Sequence, residues 1–443
     1  MSSLNRTVSR RVSTPVAYNH HGLQVRAIST EAQLMRMTLA HMLWEKQFYV
    51  DGKDSAATML DLVAKAKPEF VASLAKTARS EFKLRHVPLL LARGLAKQGK
   101  LRAEDLAEII QRPDEMSEFL SLYWKDKKEP VSNQVKKGLA SAFVKFNEFQ
   151  LAKWDKNSAA VSLRDVMFLT HPKPQNAAQE ALFKRIAAKE LATPDTWETE
   201  LSAGADKRTT FSRLMTEKKL GALAFLRNLR NMSESGVPDS EIRAYGMSVS
   251  VERVLPFRFI AAARIMPRFE DMLEQMMFKC VEGAEKIPGK TVLLIDVSGS
   301  MFGTKVSAKS DLDRFDAAAA LAVLCREVCE QVEIFSFSDS TVRVAPRRGF
   351  ALVDAIRTSQ RVAGTDLGQA IQSVNANVQA FDRCIVFTDE QSSTAPGRIK
   401  SDKNYVINVA AYENGINHYD WLTISGFSEA VLDYIQAWEK LSV

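Results

Sequence analysis

The hydrophobic period changes once along this chain, near residue 290. Upstream, apolar residues recur at helical spacing. Phe70, Leu74, Ala78 and Phe82 are four apart, and Val135, Leu139, Ala142, Phe143 and Phe146 form a second stripe. Each is one buried face of a helix. Downstream, Thr291–Asp296 is a run of β-branched and aliphatic residues, which reads as a buried strand. Val332–Ser338, Arg383–Thr388 and Tyr405–Ala410 are further strand candidates. Between the first two, a helix from about Asp313 to Glu330 turns Phe315, Ala319, Ala322, Val323 and Val328 inward. Strand alternating with helix predicts a doubly wound parallel sheet, whose ligands sit at the carboxyl ends of the strands.

No convincing strand run precedes Thr291. The expected fold is α followed by α/β: a basic arm over 1–30, a helical domain over 31–286 and a Rossmann-like domain over 287–443. Pro88, Pro113, Pro130, Pro172, Pro174, Pro194 and Pro238 punctuate the helical part. Helix pairs of roughly 35–45 residues fit a HEAT-like array, although no fixed-period repeat is visible. No apolar stretch is long enough to span a membrane. Four cysteines are too few for a disulfide scaffold and point to a reducing, cytoplasmic setting. Cys325, Cys329 and Cys384 read as buried thiols, since no histidine lies at ligand spacing; His418 stands alone.

The net charge of +7 is unevenly shared. Residues 291–443 carry 14 Lys+Arg against 19 Asp+Glu, and residues 1–290 carry 46 against 34. A cationic half attracts polyanions, of which nucleic acid is the commonest. In the first 30 residues Arg6, Arg10, Arg11 and Arg26 stand without an acid, around His20–His21. That arm lacks the apolar core of a secretory signal, whereas its composition permits a flexible tail, a polyanion contact or a transit peptide. Further along lie Lys125, Lys127, Lys128, Lys136, Lys137, Lys145, Lys153, Lys156 and Arg164, with Tyr123, Trp124, Phe149 and Trp154 interleaved. Lys137, Lys145 and Lys153 step by eight, a drift of ~80° per step, so they wrap around a helix rather than form a stripe. Each alone reads as a solvated lysine; together with the aromatics they resemble a nucleic-acid face.

Three segments resemble the TROVE module of the Ro autoantigen family, a ring of HEAT-like helices that binds RNA. They are Val161–Pro174, ending Phe-Leu-Thr-His-Pro-Lys-Pro, then Thr193–Leu201, and Leu220–Met232 with its Leu-Arg-Asn-Leu-Arg-Asn. The resemblance implies that basic residues before the His-Pro-Lys-Pro turn, and the histidine itself, contact small structured noncoding RNA on the outer surface. Lys145 and His171 match best, with Lys136, Lys137, Lys153 and Lys173 beside them. Phe149 departs from the family, which favours a basic residue there. Arg227 and Arg230 join the RNA-binding set; packing or capping is the alternative for them, with Leu223, Leu226 and Leu229 expected in the core. The family also implies single-stranded RNA ends in the ring, noncoding-RNA quality control, and an exoribonuclease such as polynucleotide phosphorylase as partner.

The first strand ends in Asp296, Ser298 and Ser300, an Asp-x-Ser-x-Ser; Gly364-Thr365-Asp366 opens a helix, and Thr388-Asp389 ends a later strand. This resembles the metal-ion-dependent adhesion site of von Willebrand factor A (vWA) domains. Asp296, Ser298, Ser300, Thr365 and Asp389 are the expected ligands of Mg²⁺, with Mn²⁺ or Ca²⁺ as alternatives, because hard oxygens suit these ions and not Zn²⁺. Asp366 fits a helix cap or a ligand. An open coordination position would accept an acidic group from a protein partner.

The sequence therefore reads as a non-enzymatic ribonucleoprotein component. A helical–vWA interaction module serving an AAA+ ATPase is the alternative. A metal-dependent hydrolase fits poorly: there is no neighbouring His/Glu pair of clear base character, no two-metal cluster, no Walker A, no Gly-x-Ser-x-Gly and no zinc spacing.

Overall fold

The computed structural model describes residues 16–18, 24–26, 29–40, 52–155, 160–252, 254, 257–305, 312–410, 421–425, 431–432, 435–436 and 439. The basic arm's Arg6, Arg10, Arg11, His20 and His21, together with Lys156 and His418, lie outside these residues.

From Thr30–Ala40 to Glu270–Lys279 the chain is a succession of short helices. They pack as neighbouring pairs, Pro68–Ser80 on His86–Lys97 and Ala103–Ile109 on Asn133–Phe143. The second pair shows why the sequence folds this way. Ser132 caps Asn133–Phe143 by accepting the Val135 N–H, and Val135, Leu139, Ala142, Phe143 and Phe146 are all buried. At Gly138 the helices come so close that a Cβ would stand 2.8 Å from the Ala103 carbonyl oxygen. Pro88 does not interrupt its helix; it occupies the first turn of His86–Lys97, where a missing N–H costs nothing.

Two three-residue strands, β1 (Val16–Tyr18) and β2 (Gln24–Arg26), pair antiparallel, contrary to the expectation of no strand before Thr291. Segments this short leave no alternation in the sequence to detect. The remaining strands are β3 (Ile287–Asp296), β4 (Cys329–Phe337), β5 (Thr341–Arg343), β6 (Arg383–Thr388), β7 (Lys403–Asn408) and β8 (Leu422–Ser425). They form one sheet in the order β5-β4-β3-β6-β7-β8, parallel except for the edge strand β5. The doubly wound sheet is as expected, while β5 and β8, three and four residues long, went unread.

The helix Arg314–Val328 is buried on every side through Cys325. It lies between the sheet and the helix Phe257–Ile265 of the helical part, so no face meets water. One hydrophobic core thus runs from Phe211 and Phe225 through Phe259 and Phe269 into Phe315 and Leu321. Polar groups cross the same seam. Asp316, fully buried, accepts from Arg264 of the helical part and from Arg357 at 2.9 Å. The Glu274 carboxylate accepts the Phe350 N–H at 2.9 Å, and it fills the space a Cβ on Gly349 (φ +55°) would need. At the far end of the chain the first long helix, Thr30–Ala40, rests against β8.

Candidate functional site

β3 and β6 are adjacent, with Ile295 opposite Phe387, and the chain leaves them toward opposite edges of the sheet. The crevice outside the carboxyl ends of two such strands is where sheets of this kind bind ligands. Backbone hydrogen bonds lace three loops there to one another and to the turn between β4 and β5. The Gly299 N–H donates to the Ala363 carbonyl at 3.0 Å, the Ser393 N–H to the Thr365 carbonyl at 2.9 Å, and the Asp366 N–H to the Ser338 carbonyl at 2.8 Å. Asp296, Ser298 and Ser300 come from the first loop, Thr365 from the second and Asp389 from the third.

Asp296 is fully buried. It accepts the Ser298 N–H at 2.8 Å and the Thr388 hydroxyl at 2.6 Å. The hydroxyls of Ser298 and Ser300 lie 3.3 Å apart. Asp389, also fully buried, accepts the Gln391 N–H at 3.3 Å and the Arg314 guanidinium at 2.9 Å. Burial, and then the neighbouring Asp389 carboxylate, push the Asp296 carboxyl well above the usual carboxylate range. Hard oxygens around two carboxylates held together away from water are the donor chemistry of Mg²⁺, Mn²⁺ or Ca²⁺. Among the described residues no group of three or more His, Cys, Asp and Glu side chains gathers at ligand distance. Asp366 acts as a cap: it accepts the Gln369 N–H at 2.9 Å and the Thr394 hydroxyl at 2.5 Å.

Sequence reasoning missed four residues here. Thr388 orients Asp296. Arg314 holds Asp389. Glu390 is buried in the left-handed region (φ +63°), a conformation costing roughly 1–2 kcal/mol for an L-residue. Gln391 keeps both amide atoms buried without a hydrogen-bond partner. Only Arg314 left a legible signal, as a basic residue in the first turn of a helix that is apolar from Ala317 to Cys325.

The basic residues fall on two separate stretches of surface. The first surrounds the helix Glu148–Trp154. Phe149 is 48% exposed, with the Lys153 ammonium 5.9 Å from its ring centre and 5.7 Å from that of Trp154. The Arg112 guanidinium stacks on Trp154 at 3.6 Å. The helix Ala177–Ala188, which follows the His-Pro-Lys-Pro turn, docks beside it. Gln179 donates to the Val144 carbonyl at 2.8 Å, and Arg185 to Glu148 at 2.7 Å. His171 and Lys173 of that turn are exposed, and His171 ends its helix in the left-handed conformation (φ 48°). Lys137 is exposed and Lys136 half-buried on Asn133–Phe143.

Lys145 behaves differently. Its ammonium folds back onto the Ala107 and Ile110 carbonyls, capping the helix Ala103–Ile109, and burial lowers its pKa. Arg227 and Arg230 lie on the exposed side of Ala222–Glu234, away from this cluster in the chain. Leu223, expected in the core, is 43% exposed on the same side. The buried face of that helix runs through Ala222, Phe225, Leu226, Leu229 and Met232, and Leu223 falls off it by about 100°. The Thr193–Leu201 segment is architecture: Asp195 binds Arg213 at 2.8 Å and Lys219 at 2.7 Å, and Thr196 caps the helix Trp197–Ser202.

The class is therefore a HEAT-like helical protein that ends in a vWA-type domain with an Asp-x-Ser-x-Ser loop. A model of the TROVE domain matches residues 184–287, and a model of the Ro60 vWA domain matches residues 290–405. The chain belongs to the Ro autoantigen family of RNA-binding ribonucleoprotein components. The crystal structure of the Ro (Rsr) protein of Deinococcus radiodurans is similar in fold, with a TM-score of 0.64 and 20% identity over 94% of this chain and 100% of that one. No curated protein matches the sequence. Of the three resembling segments, Thr193–Leu201 and Leu220–Met232 fall inside the TROVE match and Val161–Pro174 precedes it. No helix of the described residues is long and apolar enough to cross a membrane.

Proposed function

We propose that this chain binds small structured noncoding RNA on the surface around Glu148–Trp154 and the His-Pro-Lys-Pro turn. The observation that carries this reading is the docking of Ala177–Ala188 against Val144 and Glu148. It sets the two halves of a basic, aromatic surface side by side. Lys153, His171, Lys173 and Lys137 supply charge for phosphates, and exposed Phe149 offers a ring for an unstacked base. Lys145 joins two helices, so its substitution tests packing along with RNA. Arg227 and Arg230 form a second basic face that also contacts RNA. Noncoding-RNA quality control in the cytoplasm, beside an exoribonuclease, is the setting that family membership supports.

In the vWA domain, Asp296, Ser298, Ser300, Thr365 and Asp389 hold one divalent cation, Mg²⁺ being favoured. The bound ion would present a Lewis-acidic position for a carboxylate of a partner protein. Nothing in this arrangement calls for turnover.

Binding of the full chain to a hairpin RNA and to an unstructured oligonucleotide, each followed across a salt series, tests the reading. Each phosphate contact contributes a log–log slope of roughly −0.9 on duplex and −0.7 on single strands. Lys153→Ala with Lys173→Ala should weaken the hairpin and spare the single strand. Salt-insensitive or absent RNA binding, with purified protein free of nucleic acid, would sink this reading in favour of a purely protein-binding module.

A further inference from the structure

The five oxygen donors leave Arg314 without a role, yet it is built into their crevice. Arg314 is 3% exposed and opens the helix Arg314–Val328. Its Nη1 donates to Oδ2 of Asp389 at 2.9 Å. Its backbone is fixed on both sides. The Arg314 N–H donates to the Thr304 carbonyl at 3.1 Å, and the preceding Asp313 caps the helix by accepting the Asp316 N–H at 2.9 Å. Two residues on, Asp316 is held by Arg264 and Arg357. The first turn of this helix therefore cannot swing away as a unit without breaking the seam with the helical part.

A guanidinium is charged at every accessible pH and matches a carboxylate in shape. Set on Asp389 in a dry crevice, it does for that carboxylate what a metal would do. It neutralises part of the charge and occupies one of the two oxygens. A divalent ion held by Asp296 and Asp389 would meet this competitor at the same carboxylate and feel its charge through a low-dielectric interior. Without Arg314 the two carboxylates would balance a divalent ion. With it, this group of three charges and the ion sum to one positive charge.

Resting on the metal-site reading above, we propose that Arg314 is a resident counter-cation that competes with the divalent metal for Asp389. The vWA site of this chain is consequently a weak metal site when alone. It fills when an anionic ligand, a carboxylate of a partner protein, arrives with the metal and offsets the surplus charge. Arg314 thus ties metal occupancy to partner capture and keeps the free protein folded around an ion pair.

The test is calorimetric titration of the full chain with Mn²⁺, as wild type and as Arg314→Gln. Removing the competitor should tighten Mn²⁺ by roughly tenfold or more, equivalent to about 1.4 kcal/mol. Equal or weaker binding by Arg314→Gln, with wild type binding measurably, overturns the competition and leaves the metal site standing. Absence of Mn²⁺ binding by both proteins at millimolar concentration removes the metal site, and the competition with it. If circular dichroism shows Arg314→Gln unfolded, Arg314→Lys decides. Its shorter ammonium releases the Asp389 oxygen, so Mn²⁺ should tighten severalfold, and an unchanged affinity overturns the proposal.

Discussion

The candidate sites in the two halves of this molecule keep their charge in opposite places. In the helical half, Lys137, Lys153, Arg227 and Arg230 stand in solvent on helix backs whose other faces are apolar, and Lys173 stands in solvent on the turn between two helices. In the sheet half, Asp296, Asp389, Arg314, Asp316 and Arg383 are buried and paired through named hydrogen bonds. Arg383, for example, is fully buried against Glu439 and the Thr291 hydroxyl. Exposed charges act through a field that salt screens over about 8–10 Å, which suits a long polyanion met at many points. Buried charges act at one point and depend on geometry, which suits one ion and one ligand. The contrast teaches that a net charge divided by domain locates where a polyanion lands and says little about where chemistry is concentrated.

The strongest way to break the contrast is at the seam, where the halves share a buried charge. Asp316→Ala removes the acceptor between Arg264 and Arg357. Loss of a buried partner should cost about 3 kcal/mol, read as a lower urea midpoint of unfolding. An unchanged midpoint would mean that the halves hold together by apolar contact alone. Next in size is Asp296→Ala, which removes one of two carboxylates. Mg²⁺ at a hundred times its dissociation constant stabilises a binding protein by about 2.7 kcal/mol, and the variant should lose that shift in melting temperature. RNA binding should survive, because the basic surface lies in the other half; joint loss of both would erase the division.

Gly138→Ala sharpens the helical side. Its Cβ would stand 2.8 Å from the Ala103 carbonyl oxygen and 2.9 Å from the Leu106 Cβ, so overpacking should cost about 1–3 kcal/mol by chemical denaturation. A neutral result would show that the helix pair slides freely. The smallest expected effect is Lys153→Ala, one exposed charge beside Phe149. It should lower the salt slope for hairpin RNA by roughly 0.9 with little change in melting temperature. A large loss of stability instead would make Lys153 a packing residue through its contact with Trp154.

Much of the architecture was legible because periodicity is written locally. The β6 bounds Arg383–Thr388 and the stripe Val135–Phe146 follow from the run of side chains that each element must bury. The Asp-x-Ser-x-Ser loop was legible for a similar reason: a strand end fixes the direction of the residues that follow it. Lys145 illustrates the limit. Its sequence context places it before an aromatic helix, but which acceptor its ammonium finds depends on the helix Ala103–Ile109, some 35 residues earlier.

The sequence by itself determined the order of helical and sheet halves, the strand that ends in Asp296, the oxygen donors of its loops and the sign of the charge on each half. Those are properties of neighbouring residues and of sums. Tertiary structure alone decided that Arg314 sits on Asp389 across 75 residues, that Asp316 answers to Arg264 and Arg357, and that the first helix meets β8. A charge's partner is chosen by which backbones the shared core brings within about 3 Å, and no local pattern encodes that choice.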